Sequence, residues 1–171
     1  SAVATTTLRY VEAVSGTRAS FLDTRKTLPG LRLAEKYAVT VGGGKNQRIG
    51  LYDGILIKEN HIVASVCIQP ALEAARKVAN VPIQIEVESL DELKLALDAG
   101  ARLILLDNFT PEQMRQAVEI NAERAQLEAS GNITLDNIRT VAETGVHRIS
   151  IGSLTKNISA IDLSMRFSTG I

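Results

Sequence analysis

The sequence predicts an α/β domain in which about six βα units form a parallel barrel. Short runs rich in Ile, Leu and Val alternate with helical patterns along the chain. Those runs are continuously apolar, the pattern of strands covered on both faces of a parallel sheet. No long linker and no obvious sheet reversal interrupts the series, which favours a barrel over an open doubly wound sheet. The 171 residues suffice for one domain with a sizeable core.

The opening "SAVATTTLRYVEAV" runs straight into a helical pattern of Val3, Leu8, Val11 and Val14. A start without Met or lead-in is expected of a chain cut from something longer. "SFLD" reads as the first strand, with a helix from about Leu31 to Val41 behind it. "GILIK" precedes the helical "SVCIQPALEAARKVA", "PIQIEVE" precedes "LDELKLALDAG", and "RLILLD" precedes "PEQMRQAVEINA". "AQLEAS" is followed by "LDNIRTVAETG", and "HRISIGS" by a helix over "AIDLSMRF". Ser89 with Glu92 spaces a capping box, Thr110 before Pro111 is an N-cap with Pro at the first helical position, and Gly100 and Gly145 stop helices.

Composition narrows the function. Lys plus Arg and Asp plus Glu number 19 each, so no global field draws the chain to nucleic acid or membrane. Aromatics are scarce, which disfavours base-stacking platforms. The lone Cys67 excludes an internal disulfide and suits a reducing, cytoplasmic setting. No apolar run reaches the length of a membrane span, and no signal peptide is recognisable. With Cys67 far from His61 and His147, a His/Cys metal site is not expected.

In α/β barrels chemistry gathers where strands end. Here every strand ends in polar residues: Asp23, Thr24, Arg25 and Lys26; Lys58, Glu59, Asn60 and His61; Glu86 and Glu88; Asp107 and Asn108; Glu128, Ser130, Gly131 and Asn132; Gly152, Ser153 and Thr155. Taken singly, Arg25 and Lys26 suit a solvated face, "VGGGKNQR" a flexible connector, and one of Glu86 and Glu88 a solvated position. Together, the cations Arg25, Lys26, Arg48 and Lys58 suit carboxylates and phosphates. Glu86, Asp107 and Glu128 suit sugar hydroxyls or Mg²⁺. "SGN" and "IGS" in the last two βα loops fit a phosphate position. The ligands implied are a polyanionic small molecule and a phosphorylated sugar with Mg²⁺.

The segments "LDTRKTLPGLR", "GGGKNQRIGLYDGILIKENH", "LDNF", "SGNIT" and "ETGVHRISIGSLT" resemble the quinolinate phosphoribosyltransferases over nearly the whole chain. The resemblance implies a C-terminal open, TIM-like barrel domain over residues 1–171, with the family's N-terminal α/β sandwich absent from these residues. It implies transfer of a phosphoribosyl group to quinolinate with loss of pyrophosphate and CO₂, in a homo-oligomer whose neighbouring subunit completes the site. Motif by motif, Thr24, Arg25, Lys26, Arg48 and Lys58 fall on substrate-binding positions. Lys58, Glu86 and Asp107 fall on catalytic ones, with Glu86 and Asp107 also beside the ribose and Mg²⁺. Ser130, Gly131, Asn132, Ile151, Gly152 and Ser153 fall on the phosphate loops. Gln47 departs, standing where many members carry His; it retains a donor but no charge. Other readings are a related barrel transferase acting on a different aromatic acid, and a non-catalytic phosphate-binding barrel.

Overall fold

The computed structural model describes residues 1–167. The elements run α1 (Ala2–Ala13), β1 (Ser20–Leu22), α2 (Arg32–Val41), β2 (Ile55–Ile57), α3 (Glu59–Ala64), α4 (Ile68–Val78), β3 (Ile83–Val87), α5 (Leu90–Asp98), β4 (Leu103–Asp107), α6 (Pro111–Asn121), β5 (Gln126–Ser130), α7 (Ile138–Ala142), β6 (Arg148–Ser150) and α8 (Ser153–Lys156). All six strands are parallel in the order β1-β6-β5-β4-β3-β2. That is the sequential order of a ring cut between β1 and β2, as expected of an open barrel. The segment after α2 lies along the cut. Lys45 bridges Leu22 in parallel, its N–H donating to Phe21 O and its carbonyl accepting from Asp23 N. Arg48 Nη1 reaches Gly54 O near β2 at 2.8 Å.

Strand register sorts side chains into two faces. One row, Ile57, Ile85, Ile104 and Leu127, and the next, Val87, Leu106, Ala129, Ile149 and Phe21, are buried in the apolar core. The alternate rows point into the barrel and mix polar with apolar residues: Glu86, Leu105, Glu128 and Arg148 in one, Leu56, Gln84 and Leu103 in another. The uniformly apolar reading therefore holds only for the outer face. Gln47 at the cut hydrogen-bonds both Gln84 on β3 and Glu128 on β5, so the sheet curls until side chains meet across the lumen.

Helix signals act locally as expected at α6, where Thr110 and Gln113 complete a capping box with Pro111 at the first turn. At α5, Ser89 caps Glu92 N, but the Glu92 carboxylate accepts from Glu88 N at 2.7 Å instead of closing the box. Gly100 and Gly145 take positive φ after their helices. Three expectations change. Leu8 is exposed, and Thr7 and Tyr10 take its place on the buried face of α1. The stretch between β2 and β3 forms two helices, with Val66 at φ 72° between them. After β6, among the described residues, only the four-residue α8 forms, and residues 160–167 are neither helix nor strand.

The glycine run is a packing device rather than a loose connector. A Cβ on Gly42 would lie 2.5 Å from Ala4 O and 2.6 Å from Thr7 Cβ, and one on Gly44 would lie 2.8 Å from Val39 Cγ1. Their bare backbones let α1 sit directly on the turn that follows α2. Gly42→Ala should lower stability by about 1–3 kcal/mol through overpacking, read as a lower urea midpoint with an unchanged m value.

Candidate active site

The site begins with an ion pair that the strand-end reading does not anticipate. Asp23, at the end of β1, is fully buried, and Lys36 Nζ on α2 lies 2.6 Å from its Oδ1. Gln47 N donates to the same oxygen at 2.8 Å, Lys36 Nζ also donates to Gln47 O, and the Asn46 amide donates to Oδ2 at 2.7 Å when turned to suit its neighbours. Burial pushes the Asp23 carboxyl up, and Lys36 opposes that shift. The pair ties β1, α2 and residues 46–47 to one point. Arg32 and Glu35 on α2 add bonds to Arg25 O, Thr27 and Leu28 N. Asp53 accepts from Ile49 N and Gly50 N and closes the far end of the loop.

This scaffold aims cations at one cavity of about 280 Å³, lined by Thr24, Arg25, Lys26, Gln47, Arg48, Leu56, Lys58, Glu86, Leu105, Ser130 and Ser150. Among the described residues, Arg25, Lys26 and Arg48 have no carboxylate within ion-pair distance. Arg25 Nε is buried without a hydrogen-bond partner. Burial, then the nearby Arg25 charge, pull Arg48 below the ordinary arginine value. Two crowded guanidiniums without counter-charge are the electrostatic mould of an anion. Lys58 differs: its Nζ donates to both Glu86 oxygens, at 3.0 and 2.8 Å. Burial raises the Glu86 carboxyl, Lys58 offsets part of that, and Asp107 adds to it. Glu88 is exposed, so Glu86 alone of the two faces the site.

A second cavity of about 450 Å³ adjoins the first, sharing Thr24, Lys26, Ser130 and Ser150 with it. It brings together the expected Asp107, Ser130, Gly131, Asn132, Ile151, Gly152 and Ser153. Gly131 adopts φ +97°, and a Cβ there would meet Asn108 Oδ1 at 2.2 Å. Asn108 and Asn132 are themselves left-handed and joined by a 3.2 Å side-chain bond. The main-chain N–H groups of Gly131, Asn132, Gly152 and Ser153 have no main-chain partner among the described residues. Ile151 contributes differently, since its N–H donates to Leu22 O and its side chain is buried. The Lys26 stem crosses Gly152, where a Cβ would lie 2.8 Å from Cδ, and Thr155 Oγ1 holds Lys26 O at 2.6 Å. Another cavity, of about 390 Å³ beside α1 and β1, is comparable in size, but only Glu12 and Lys45 among its lining are charged.

Two polar lining residues, Ser150 and Lys156, escape sequence reasoning, and Gln47 is singled out there only as a departure from the resemblance. Ser150 Oγ is buried without a partner and opens to both cavities. Its signal was its place two residues after Arg148, on the inward face of β6. Lys156 lines the second cavity from α8, and Gln47 lines the first. Glu128 does not line either; it lies beneath them, fully buried. His61 is exposed and its Nδ1 accepts from Lys58 N, whereas His147 lies on the opposite rim. No cluster of three or more His, Cys, Asp or Glu able to cage a metal occurs among the described residues.

The family model described as quinolinate phosphoribosyl transferase, C-terminal domain, matches residues 3–166. The chain is 44% identical over 167 residues to a probable nicotinate-nucleotide pyrophosphorylase [carboxylating] of Bacillus subtilis, covering 96% of this chain and 58% of that protein. It is 46% identical over 169 residues to the nicotinate-nucleotide pyrophosphorylase [carboxylating] of Mycobacterium leprae, covering 96% and 60%. The solved nicotinate-nucleotide pyrophosphorylase of Francisella tularensis superposes with a TM-score of 0.93 at 49% identity, over 96% of this chain and 59% of that one. The chain thus spans about three fifths of the length of these relatives.

Lys36→Met should leave Asp23 charged, buried and unpaired. The expected loss is about 3–5 kcal/mol, measured by chemical denaturation, and a loss below 1 kcal/mol would remove the pair from its scaffold role.

Proposed function

Since the chain belongs to the quinolinate phosphoribosyl transferase C-terminal domain family, we propose that it carries the site where quinolinate meets phosphoribosyl pyrophosphate. The products are nicotinate mononucleotide, pyrophosphate and CO₂, in NAD synthesis. The reading rests above all on the adjoining cavities, one where Arg25, Lys26 and Arg48 have no carboxylate within ion-pair distance and the other walled by two loops with free main-chain N–H groups.

Arg25, Lys26 and Arg48 take the two carboxylates of the acid and hold its ring nitrogen towards the ribose. The loops at Ser130–Asn132 and Gly152–Ser153, with Lys26 and Lys156 beside them, take the 5′-phosphate. As the bond from C1 to pyrophosphate breaks and the bond from nitrogen to C1 forms, positive charge develops on the ribose. Glu86 and Asp107 face that charge or hold the sugar hydroxyls, and Lys58 keeps Glu86 ionised and in place. Position and electrostatics supply most of the catalysis. The alkylated nitrogen then stabilises the electron pair left when the adjacent carboxylate departs as CO₂, and a proton from solvent completes the ring. Glu86 and Asp107 are the residues that would hold Mg²⁺, which when bound offsets the charge of the pyrophosphate.

A homo-oligomer is part of the proposal. Leu33, Tyr37 and Val41, one turn apart on α2, are 71%, 70% and 61% exposed and form an apolar stripe suited to a protein partner. No helix among the described residues is long and apolar enough to cross a membrane, and a cytoplasmic setting rests on the exposed free thiol of Cys67.

In the intact protein, Arg25→Ala and Arg48→Ala should each weaken quinolinate binding by about 2–4 kcal/mol, the loss of charge-assisted contacts. Phosphoribosyl pyrophosphate affinity should change far less. Unchanged quinolinate affinity by calorimetry in both variants would remove the acid from this cavity. The pH profile tests Glu86. Its raised pKa means that the ionised form is present above a midpoint higher than the ordinary 4.5 and is lost as pH falls through it. Turnover should show an acid limb centred above 4.5, and Glu86→Gln should lower the plateau and abolish that limb. A limb unaltered in Glu86→Gln assigns it to another group.

A further inference from the structure

The carboxylate beneath the acid cavity has a consequence for what the cavity accepts. Glu128 is fully buried on β5. Its Oε1 accepts from Gln47 Nε2, and its Oε2 accepts from Gln84 Nε2 at 3.0 Å, with Arg148 Nε 3.0 Å from the same oxygen. Gln47 Nε2 also faces Gln84 Oε1 at 3.4 Å. Both hydrogens of the Gln47 amide are thereby directed down into the lumen. The reverse orientation would set an amide oxygen against the Glu128 carboxylate, so the network fixes the assignment. The Gln47 atom left for the cavity it shares with Arg25, Arg48 and Lys58 is Oε1.

The wall holds one other fixed acceptor, the Glu86 carboxylate, and Lys58 Nζ donates to both of its oxygens. A ligand carboxylate offers only acceptors, and the other neutral polar groups of the wall, the hydroxyls of Thr24, Ser130 and Ser150, can rotate to donate. The Gln47 amide, locked from below, cannot. We propose that Gln47 is a specificity-determining residue that turns a ligand carboxylate away from its stretch of wall, and that Glu128 is the positioning residue that makes it do so. The carboxylates of a pyridine diacid are then confined to the Arg25 and Arg48 side, in one orientation of the ring. The inference rests on the reading of this cavity as the quinolinate site.

Two measurements on the intact protein test it. Side-chain amide hydrogen exchange by NMR reads the locking directly. The Gln47 NH₂ should be protected in the wild type and should exchange at least about tenfold faster in Glu128→Gln, the effect expected from losing a hydrogen bond to a charged group. Calorimetry with the 2,3-, 2,4- and 3,4-pyridinedicarboxylates reads the consequence. The wild type should prefer the 2,3-isomer by about tenfold or more, and Glu128→Gln and Gln47→Met should bring the three within about threefold, because the rejected isomers gain affinity. Gln47→Met leaves the Glu128–Arg148 contact intact and keeps the test decisive should Glu128→Gln fail to fold. In the Gln47→Met background, Glu128→Gln should change the isomer ratio no further. An unprotected Gln47 amide in the wild type, or full isomer preference retained in Gln47→Met, overturns the inference. A wild type that binds none of the isomers overturns the quinolinate reading instead, and amide protection then still decides whether Glu128 locks Gln47.

Discussion

The site hangs on one buried ion pair. Asp23 and Lys36 bring three unconnected pieces together, the end of β1, the inner face of α2 and the turn that carries Gln47 and Arg48. Taking two charges out of water is costly, and attraction between them repays that cost only when the remaining lone pairs and protons are also satisfied. Here the Asn46 amide and Gln47 N–H complete the carboxylate, and the Gln47 carbonyl takes a further ammonium proton. A hydrophobic contact could hold the same elements together. It would not set the angle at which Arg25 and Arg48 converge, because apolar packing is non-directional.

The same logic turns α2 inside out. Glu35 and Lys36 are buried while Leu33, Tyr37 and Val41 face outward. Glu35 and Lys36 share the buried face with Val39 and are consumed by segment 23–28 and the Gln47 turn, leaving the stripe of Leu33, Tyr37 and Val41 free. The barrel lumen repeats this inversion on a larger scale. Its outer wall is an aliphatic layer under the helices, and its inner wall holds Gln84, Glu86, Glu128 and Arg148. A packed aliphatic lumen would end abruptly at the rim. A polar one carries hydrogen bonds from the lumen floor up to the side chains that meet a ligand.

These inversions mark the limit of what was legible. The six βα units and their order could be read because apolar runs and helix caps are local signals, and Thr110–Pro111 or Gly145 act within one turn of the chain. The rim could be read because strands end where apolar runs end, so the position of Arg25, Lys58, Asp107 and Gly131 follows from that of the strands. Lys36 could not be read: on a helix a lysine is by default solvated, and its partner lies 13 residues earlier. Ser150 was obscured for a related reason, since inward orientation depends on a register that no single strand reveals. The helix expected over "AIDLSMRF" rested on an apolar pattern alone, without a cap or a packing partner, and did not form.

The cut between β1 and β2 gives the wall a mechanical character. A closed ring of strands is a hoop, whose circumference changes only by breaking ladder hydrogen bonds. This ring is a clasp. Five strand pairs form its band, and its fastening is the stretch from Lys45 to Asp53, joined to β1 by one bridge and the Asp23–Gln47 bond, to the lumen floor by the Gln47 amide, and towards β2 by the Arg48 side chain. The girth of the lumen is therefore set at the fastening by side-chain bonds and one bridge instead of a full strand ladder, and the fastening is also the piece that bears Gln47 and Arg48. The part of the wall proposed to meet the acid is thus the part that closes the ring, while the loops at Gly131 and Gly152 are carried by β5 and β6 in the band.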